Sequence, residues 1–306
     1  MDTRRIGSLN VTVVGLGCNN FGMGLDAART ELVVHAALDA GITFFDTADI
    51  YGGTQSEHFL GRALAGRRAS AVIATKFGMR VDEKRQGAKP AYVRQAVEDS
   101  LRRLGTDWID LYQLHQPDAT TPIADTLDAL NDLVRAGKVR EIGCSNFSAA
   151  QLREARAVAA PGAAQFVSVQ NEYSLLHRDP ERDVLPECER LEIPFIPYFP
   201  LASGLLTGKY TQGTPPPAGT RLSHAWAATR FLTDERLARA NALGRFAESR
   251  GHSLLELAMS WLARRPVVAS VIAGATTPEQ VLANARATAW QLTQAEVAEI
   301  DAIVPI

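Results

Sequence analysis

The chain has 306 residues, 46% of them hydrophobic and 22% charged, with a formal net charge of −2. This is the composition of a globular protein able to bury a large core. There is no basic excess to suggest nucleic acid, and no apolar run approaches the ~20 residues a membrane span needs. The opening MDTRRIGSLNVTVVG lacks a long apolar core before a small-residue cleavage site, and Cys18, Cys144 and Cys188 show neither paired nor metal-like spacing. Free thiols in a reducing cytoplasm, and no bound metal, are therefore expected.

In chain order, Arg4 to Val13 contains two short segments flanking Gly7-Ser8 and Leu9-Asn10, the pattern of a β-hairpin. A strand over Val13–Gly17 runs into the loop from Cys18 to Gly22. Thr30 to Ala40 reads as a helix capped by Thr30 and stopped by Gly41. Strands follow at Phe44-Phe45, at 71–75 with Lys76 at the tip, at 108–114 with His115 at the tip, and at 139–144 before Ser145-Asn146. Helices are expected between them at 56–65, 92–104 and 123–135, each bounded by a glycine or by turn residues. Ser148 caps the next helix. Strands at 166–169 and 193–198 then deliver Gln170 and Tyr198, with a helix at 183–191 between them. A loop rich in Gly, Pro and Thr spans 199–229. Helices at 234–250 and 254–263, a last strand at 267–273 and helices at 278–289 and 294–303 complete the pattern.

Eight strands after the hairpin, nearly all followed by a helix and most of them unbroken apolar runs, describe a parallel sheet covered on its outer face. One uninterrupted series of this kind favours a (β/α)8 barrel, with the hairpin before it and an extra helix at the C-terminus, as a single domain over 1–306. In such barrels the working residues lie at the C-terminal ends of the strands. Asp46, Lys76, His115, Ser145, Asn146, Gln170 and Tyr198 all occupy that position.

The stretch ITFFDTADIYGGTQSE places Asp46 at a strand tip and Tyr51 on the following loop. Alone, this pair is better explained by a turn cap and a half-buried loop aromatic. Together with Lys76 and His115 it fits proton transfer. A tyrosine is almost wholly protonated at neutral pH, a nearby ammonium favours its phenolate, and a carboxylate holds that ammonium in place. His115 then orients a carbonyl or joins the relay. A different use of the same residues makes Lys76 a Schiff-base nucleophile. The later strand ends suit a dinucleotide: amide partners at Ser145-Asn146 and Gln170-Asn171, an aromatic face at Tyr198, small residues from 200 to 208, and a helix N-terminus after Gly274-Ala275-Thr276-Thr277. No G-x-G-x-x-G stands in a Rossmann setting, so the dinucleotide is expected to be bound another way.

Taken in order, GLGCNNFG (15–22), FFDTADIYGGTQSE (44–57), ATKFG (74–78), DLYQLHQPD (110–118), IGCSNF (142–147), VQNEYSLL (169–176), PYFPLASGLLTGKY (197–210) and VIAGATTPEQVLANA (271–285) resemble the aldo-keto reductases over essentially the whole chain. The resemblance implies that Asp46, Tyr51, Lys76 and His115 are catalytic and that an aldehyde or ketone is reduced with NADPH, or with NADH. It implies that Ser145, Asn146 and Gln170 hold the nicotinamide amide, that Tyr198 stacks on its ring and that Leu201 and Ser203 meet the pyrophosphate. Gln280 and Asn284 fall near the adenosine end, and Gly17, Cys18, Asn19, Gly204, Leu206, Gly274 and Thr276 count among the cofactor contacts. Two departures stand out. Phe199 replaces a serine common in relatives, and no Lys or Arg lies within 274–277, where relatives place a cation for the 2′-phosphate of NADP. Arg221, Arg230 and Arg286 are the cations available to compensate. Some proteins with this fold are regulatory or channel-associated subunits with slow chemistry, which is the competing expectation. The sequence leaves oligomeric state and carbonyl identity open.

Overall fold

The computed structural model describes residues 1–210 and 213–306. Strands β1 (Thr3–Ile6) and β2 (Leu9–Thr12) form an antiparallel hairpin with Ile6 paired to Leu9. The turn between them requires a positive φ, which Gly7 supplies at 55°.

Eight parallel strands follow: β3 (Val14–Gly17), β4 (Phe44–Asp46), β5 (Val72–Phe77), β6 (Ile109–Leu114), β7 (Val139–Ser145), β8 (Phe166–Glu172), β9 (Phe195–Tyr198) and β10 (Val271–Gly274). Their order in the sheet is β10-β3-β4-β5-β6-β7-β8-β9. The two edges meet at Phe195, whose N–H donates to Val267 O at 2.7 Å and whose carbonyl accepts from Ala269 N at 2.9 Å. This is the expected (β/α)8 barrel.

Helices α1 (Ala27–Asp39), α2 (Gln55–Ala63), α3 (Pro90–Leu104), α4 (Ile123–Arg135), α5 (Ala149–Val158) and α6 (Val184–Leu191) each return the chain to the next strand. After β9 come α7 (Ala225–Phe231), α8 (Asp234–Glu248) and α9 (Leu254–Ala263), and after β10 come α10 (Pro278–Arg286) and α11 (Gln294–Ile303). Ser148 caps α5 as expected, in a reciprocal box with Gln151.

Three expectations need correction. Helix α1 starts earlier than Thr30, because the Asp26 carboxylate accepts from Arg29 N at 2.8 Å and caps it. Thr30 is buried within the first turn. The last regular strand begins at Val271: before it, Val268 makes only an isolated parallel bridge to Phe195, and its N–H bonds to Arg265 O in the turn after α9. The stretch 199–229 is not all loop: it carries 3-10 turns at Ala202–Thr207 and Arg221–Ser223 and most of α7. Thr211 and Gln212, which belong to the same stretch, lie outside the described residues.

Two apolar clusters hold the barrel. The larger lies between strands and helices, where residues such as Ile73, Tyr112, Val169 and Phe195 meet the inner faces of the helices. The smaller fills the lower barrel: Phe44, Ala74, Leu111, Ile196, Ala269 and Ile272 pack on Ile6, Leu9 and Val11 of the hairpin. The hairpin is therefore the floor of the barrel. No helix among the described residues is long and apolar enough to cross a membrane.

Candidate active site

Side chains two apart along a strand point the same way. Phe44, Ala74 and Leu111 face the barrel interior and belong to its apolar cluster, so Asp46, Lys76 and Gln113, one step further along each strand, face the same space. Gln170 joins them from β8. The result is a polar layer resting directly on an apolar one.

Lys76 Nζ donates to Asp46 Oδ2 at 2.6 Å and to Thr47 O at 2.8 Å. Asp46 Oδ1 accepts from Gln170 Nε2 at 2.8 Å and, at longer range, from Gln113 Nε2 at 3.4 Å. All four side chains are buried. The charges are viable there because each polar atom of the pair has a partner. Tyr51 reaches in from the loop after β4, its ring centre 5.1 Å from Lys76 Nζ. The His115 ring stands edge-on to Tyr51, centroids 5.8 Å apart at 79°.

The electrostatics follow from burial and from Lys76. Burial works against the Lys76 ammonium, but Asp46 and Tyr51 outweigh it and hold the amine above its ordinary range. Burial pushes the Tyr51 phenol up, opposed chiefly by Lys76. Burial, reinforced by Lys76, pushes His115 well below the usual imidazole range, so it is neutral at physiological pH. Its Nδ1 is buried without a hydrogen-bond partner.

The neighbouring strand ends are tied to one another. Ser145 Oγ donates to Gln170 O at 2.7 Å, Asn146 Nδ2 to His115 O at 2.9 Å, and the Tyr198 hydroxyl to Asn146 Oδ1 at 2.8 Å. Beyond Tyr198 the backbone is left-handed at Phe199, Ala202, Ser203 and Gly204, with φ of 51°, 45°, 58° and 95°. Such a run costs conformational energy and is typical of a ligand clamp. Ser203 Oγ is buried there with no hydrogen-bond partner. Lys209 Nζ lies 3.2 Å from where a Cβ on Gly204 would sit. A left-handed backbone, an unpartnered hydroxyl and an ammonium together fit an anionic group such as a pyrophosphate.

Residues 13–305 match the model of the Aldo/keto reductase family. The chain belongs to that family. It is 36% identical over 286 residues to the aldo-keto reductase YhdN of Bacillus subtilis (strain 168), covering 92% of this chain and 85% of that protein. It is 35% identical over 302 residues to a probable voltage-gated potassium channel subunit beta of Oryza sativa subsp. japonica, covering 93% and 90%. Among solved structures it resembles the glycerol dehydrogenase AKR11B4 from Gluconobacter oxydans, with a TM-score of 0.85, 35% identity, and 99% and 94% of the two chains covered.

Within this aldo-keto reductase the residues expected at the site divide into two groups. Asp46, Tyr51, Lys76, His115, Ser145, Asn146, Gln170 and Tyr198 come together through the contacts above, and Ser203 lies in the left-handed run that follows. Cys18 lies against this group: it is fully buried, its N–H donates to Asp46 O, its carbonyl accepts from Ser56 Oγ, its thiol faces Leu16 O, and it is near enough to Tyr51 to oppose ionisation of the phenol. Leu206 is likewise buried, with its N–H bonded to Leu201 O. The Gln280 side chain turns back to accept from Thr276 N at 2.8 Å and so shapes the start of α10, whereas Asn284 is buried in that helix's last turn. Gly17 and Gly274 pair across β3 and β10, with Asn19 and Asn20 packed against Gly274. Of the candidate compensating cations, Arg230 pairs with Glu172 and Arg286 sits in the last turn of α10, away from 274–277. Arg221 donates to Asn20 Oδ1 at 2.8 Å and links the long connection to the loop after β3.

Two residues escaped the sequence reading. Gln113 lies inside an apolar run, and only its inward-facing parity with Leu111 near a strand end marks it. Lys209 follows Gly208 in a stretch whose path sequence periodicity does not fix.

Proposed function

We propose that this protein reduces aldehydes or ketones to alcohols using NADPH or NADH, with Tyr51 as general acid, in a single barrel domain over 1–306. The observation that carries this reading is the contact chain from the buried Asp46–Lys76 pair at the strand tips to half-buried Tyr51 on the loop after β4. Bound nicotinamide dinucleotide supplies the hydride. The chain's own residues must then hold the carbonyl and provide a proton to its oxygen. Tyr51 carries that proton at neutral pH, because burial keeps the phenol protonated. Lys76 stabilises the phenolate left behind, and Asp46 keeps Lys76 charged and in place. His115, being neutral, acts as a hydrogen-bonding group that orients the carbonyl rather than as a proton donor.

The same facts disfavour a Schiff-base lyase. An amine held above its ordinary pKa stays an ammonium and is a poor nucleophile. For the cofactor, Ser145, Asn146 and Gln170 offer the amide partners, Tyr198 the flat face, and Leu201, Ser203 and Gly204 the pyrophosphate cradle. NADPH follows from the family. The rim at 274–277 carries no Lys or Arg, which brings NADH within reach.

A second reading is a cofactor-binding regulatory subunit with little turnover, favoured by the similarity to the rice channel-subunit relative. One experiment separates the two: titrate NADPH and NADH by fluorescence, then follow their oxidation over a panel of aldehydes. The reductase reading expects turnover in the wild type. Tyr51→Phe should lower it by ~10²–10⁴-fold while cofactor affinity stays near normal. Tight cofactor binding with no turnover on any carbonyl supports the regulatory reading instead.

A further inference from the structure

Gln113 and Lys76 are cross-strand neighbours on β6 and β5, and Gln113 pairs on its other side with Gly143 of β7. Gly143 makes room for it: a Cβ there would lie 3.2 Å from Gln113 Cγ and 2.8 Å from Ser168 Oγ. The Gln113 side chain thus fills the space that a larger residue on β7 would occupy, and it is fully buried among the barrel strands. An apolar residue would be cheaper to bury there, because Gln113 Oε1 has no hydrogen-bond partner. The amide's contact in this space is Asp46 Oδ1. An ionised carboxylate only accepts hydrogen bonds, so the group facing it is the amide N–H.

We propose that Gln113 is a positioning residue: it shares Asp46 Oδ1 with Gln170 and so sets how strongly Asp46 draws Lys76 away from Tyr51. The inference rests on the reading of Tyr51 and Lys76 given above and extends it one contact outwards. Asp46 divides its hydrogen bonds between one cation on Oδ2 and two neutral amides on Oδ1. Amides cannot titrate and carry no net charge, so they stabilise the carboxylate without competing with Lys76 for a proton. Removing one of them leaves more of the Asp46 charge directed at Lys76, and the ammonium then does less for the Tyr51 phenolate.

The charged and titratable groups facing the Tyr51 phenol are Lys76 from β5, Asp46 from β4, Cys18 from the loop after β3, His115 from the end of β6, Tyr198 from β9 and Arg221 from the long connection. Gln113 touches none of the reacting atoms. Its effect must pass through Asp46 and Lys76.

The test uses Gln113→Met, which matches the length of the side chain without its donor, with Gln113→Leu as a second variant should the first fold poorly. The alkaline limb of the kcat–pH profile for carbonyl reduction should move up by about half a pH unit or more. kcat at neutral pH should fall about threefold, the rate equivalent of half a pH unit in the acid strength of the phenol, and cofactor affinity should stay within about twofold. In parallel, ultraviolet difference titration of the phenol, with Tyr51→Phe as the blank, should show the same upward movement without any need for turnover. A folded variant with its alkaline limb and phenol midpoint unmoved overturns the proposal, as does a drop in activity that tracks thermal stability alone. Absence of turnover in the wild type would count against the reductase reading, while the phenol titration still decides the role of Gln113.

Discussion

Lys76 and Asp46 meet at 2.6 Å with side-chain exposures of 0% and 4%, thirty positions apart in sequence and on adjacent strands. A pair this deep is maintained by mutual compensation, so removing one member leaves the other charge stranded. Lys76→Met should lower unfolding free energy by roughly 3–5 kcal/mol and abolish most carbonyl reduction. Denaturant unfolding, together with assay of the folded fraction, separates the two effects. A variant as stable as wild type would show that Asp46 is protonated or reached by water.

The neutral state of His115 has a signature in the pH profile. Burial and Lys76 hold it well below 6.5, so its charge does not change as pH falls through the ordinary imidazole range. Reduction should therefore show no acid limb near pH 6.5 arising from this group. An imidazole proton signal that titrates near that value in the NMR spectrum, lost in His115→Asn, would contradict this.

Ser203 tests the anion cradle. Its hydroxyl is buried and has no partner in the protein, so Ser203→Ala removes nothing the free chain uses. Thermal stability should be unchanged or slightly raised, whereas affinity for the dinucleotide should fall several-fold, about 1 kcal/mol. Adenosine, which lacks the pyrophosphate, should bind both forms equally. Equal dinucleotide affinity for the two forms would remove Ser203 from the site.

Asp49 gives a stability prediction independent of catalysis. Burial, aided by Glu57, raises its carboxyl from an ordinary 3.8 to about 7, against the pull of Arg103, and its Oδ1 has no partner. A folded-state pKa raised above the unfolded value means that its contribution is fully present below pH ~4 and is lost as pH rises to about 7. Asp49→Asn should therefore match wild type near pH 4 and become progressively more stable than wild type up to pH ~7, by at most roughly 4 kcal/mol. Melting curves across that range supply the check. A constant difference would mean the carboxyl does not titrate there.

Much of this architecture was legible because the features that place a site in a barrel are local. Each strand reads as an apolar run, and the residue where the run turns polar is the residue that faces the mouth; Asp46, Lys76 and His115 were found in this way. What escaped depended on direction rather than on composition. Thr30 and Asp26 are both good cap residues, and only the path of the chain after Leu25 decides that Asp26 meets Arg29 N. Gln113 is one residue within the apolar run of β6, and only strand register sets it beside Lys76. Cys18 stands in a motif that borders the site, yet it meets the site through its backbone N–H on Asp46 O and a fully buried thiol. The connection from 199 to 229 has no periodicity to read, since its form comes from left-handed residues and from ties such as Arg221 to Asn20.

The hairpin floor bears on how protons travel. Ile6, Leu9 and Val11 close the barrel beneath Phe44, Ala74 and Leu111, so the layer of Asp46, Lys76, Gln113 and Gln170 rests on hydrocarbon and faces the strand tips. On the proposed reading, a proton given up by Tyr51 is replaced through the same opening that admits the substrate and releases the product. Reprotonation and product exit are thereby made consecutive uses of one doorway.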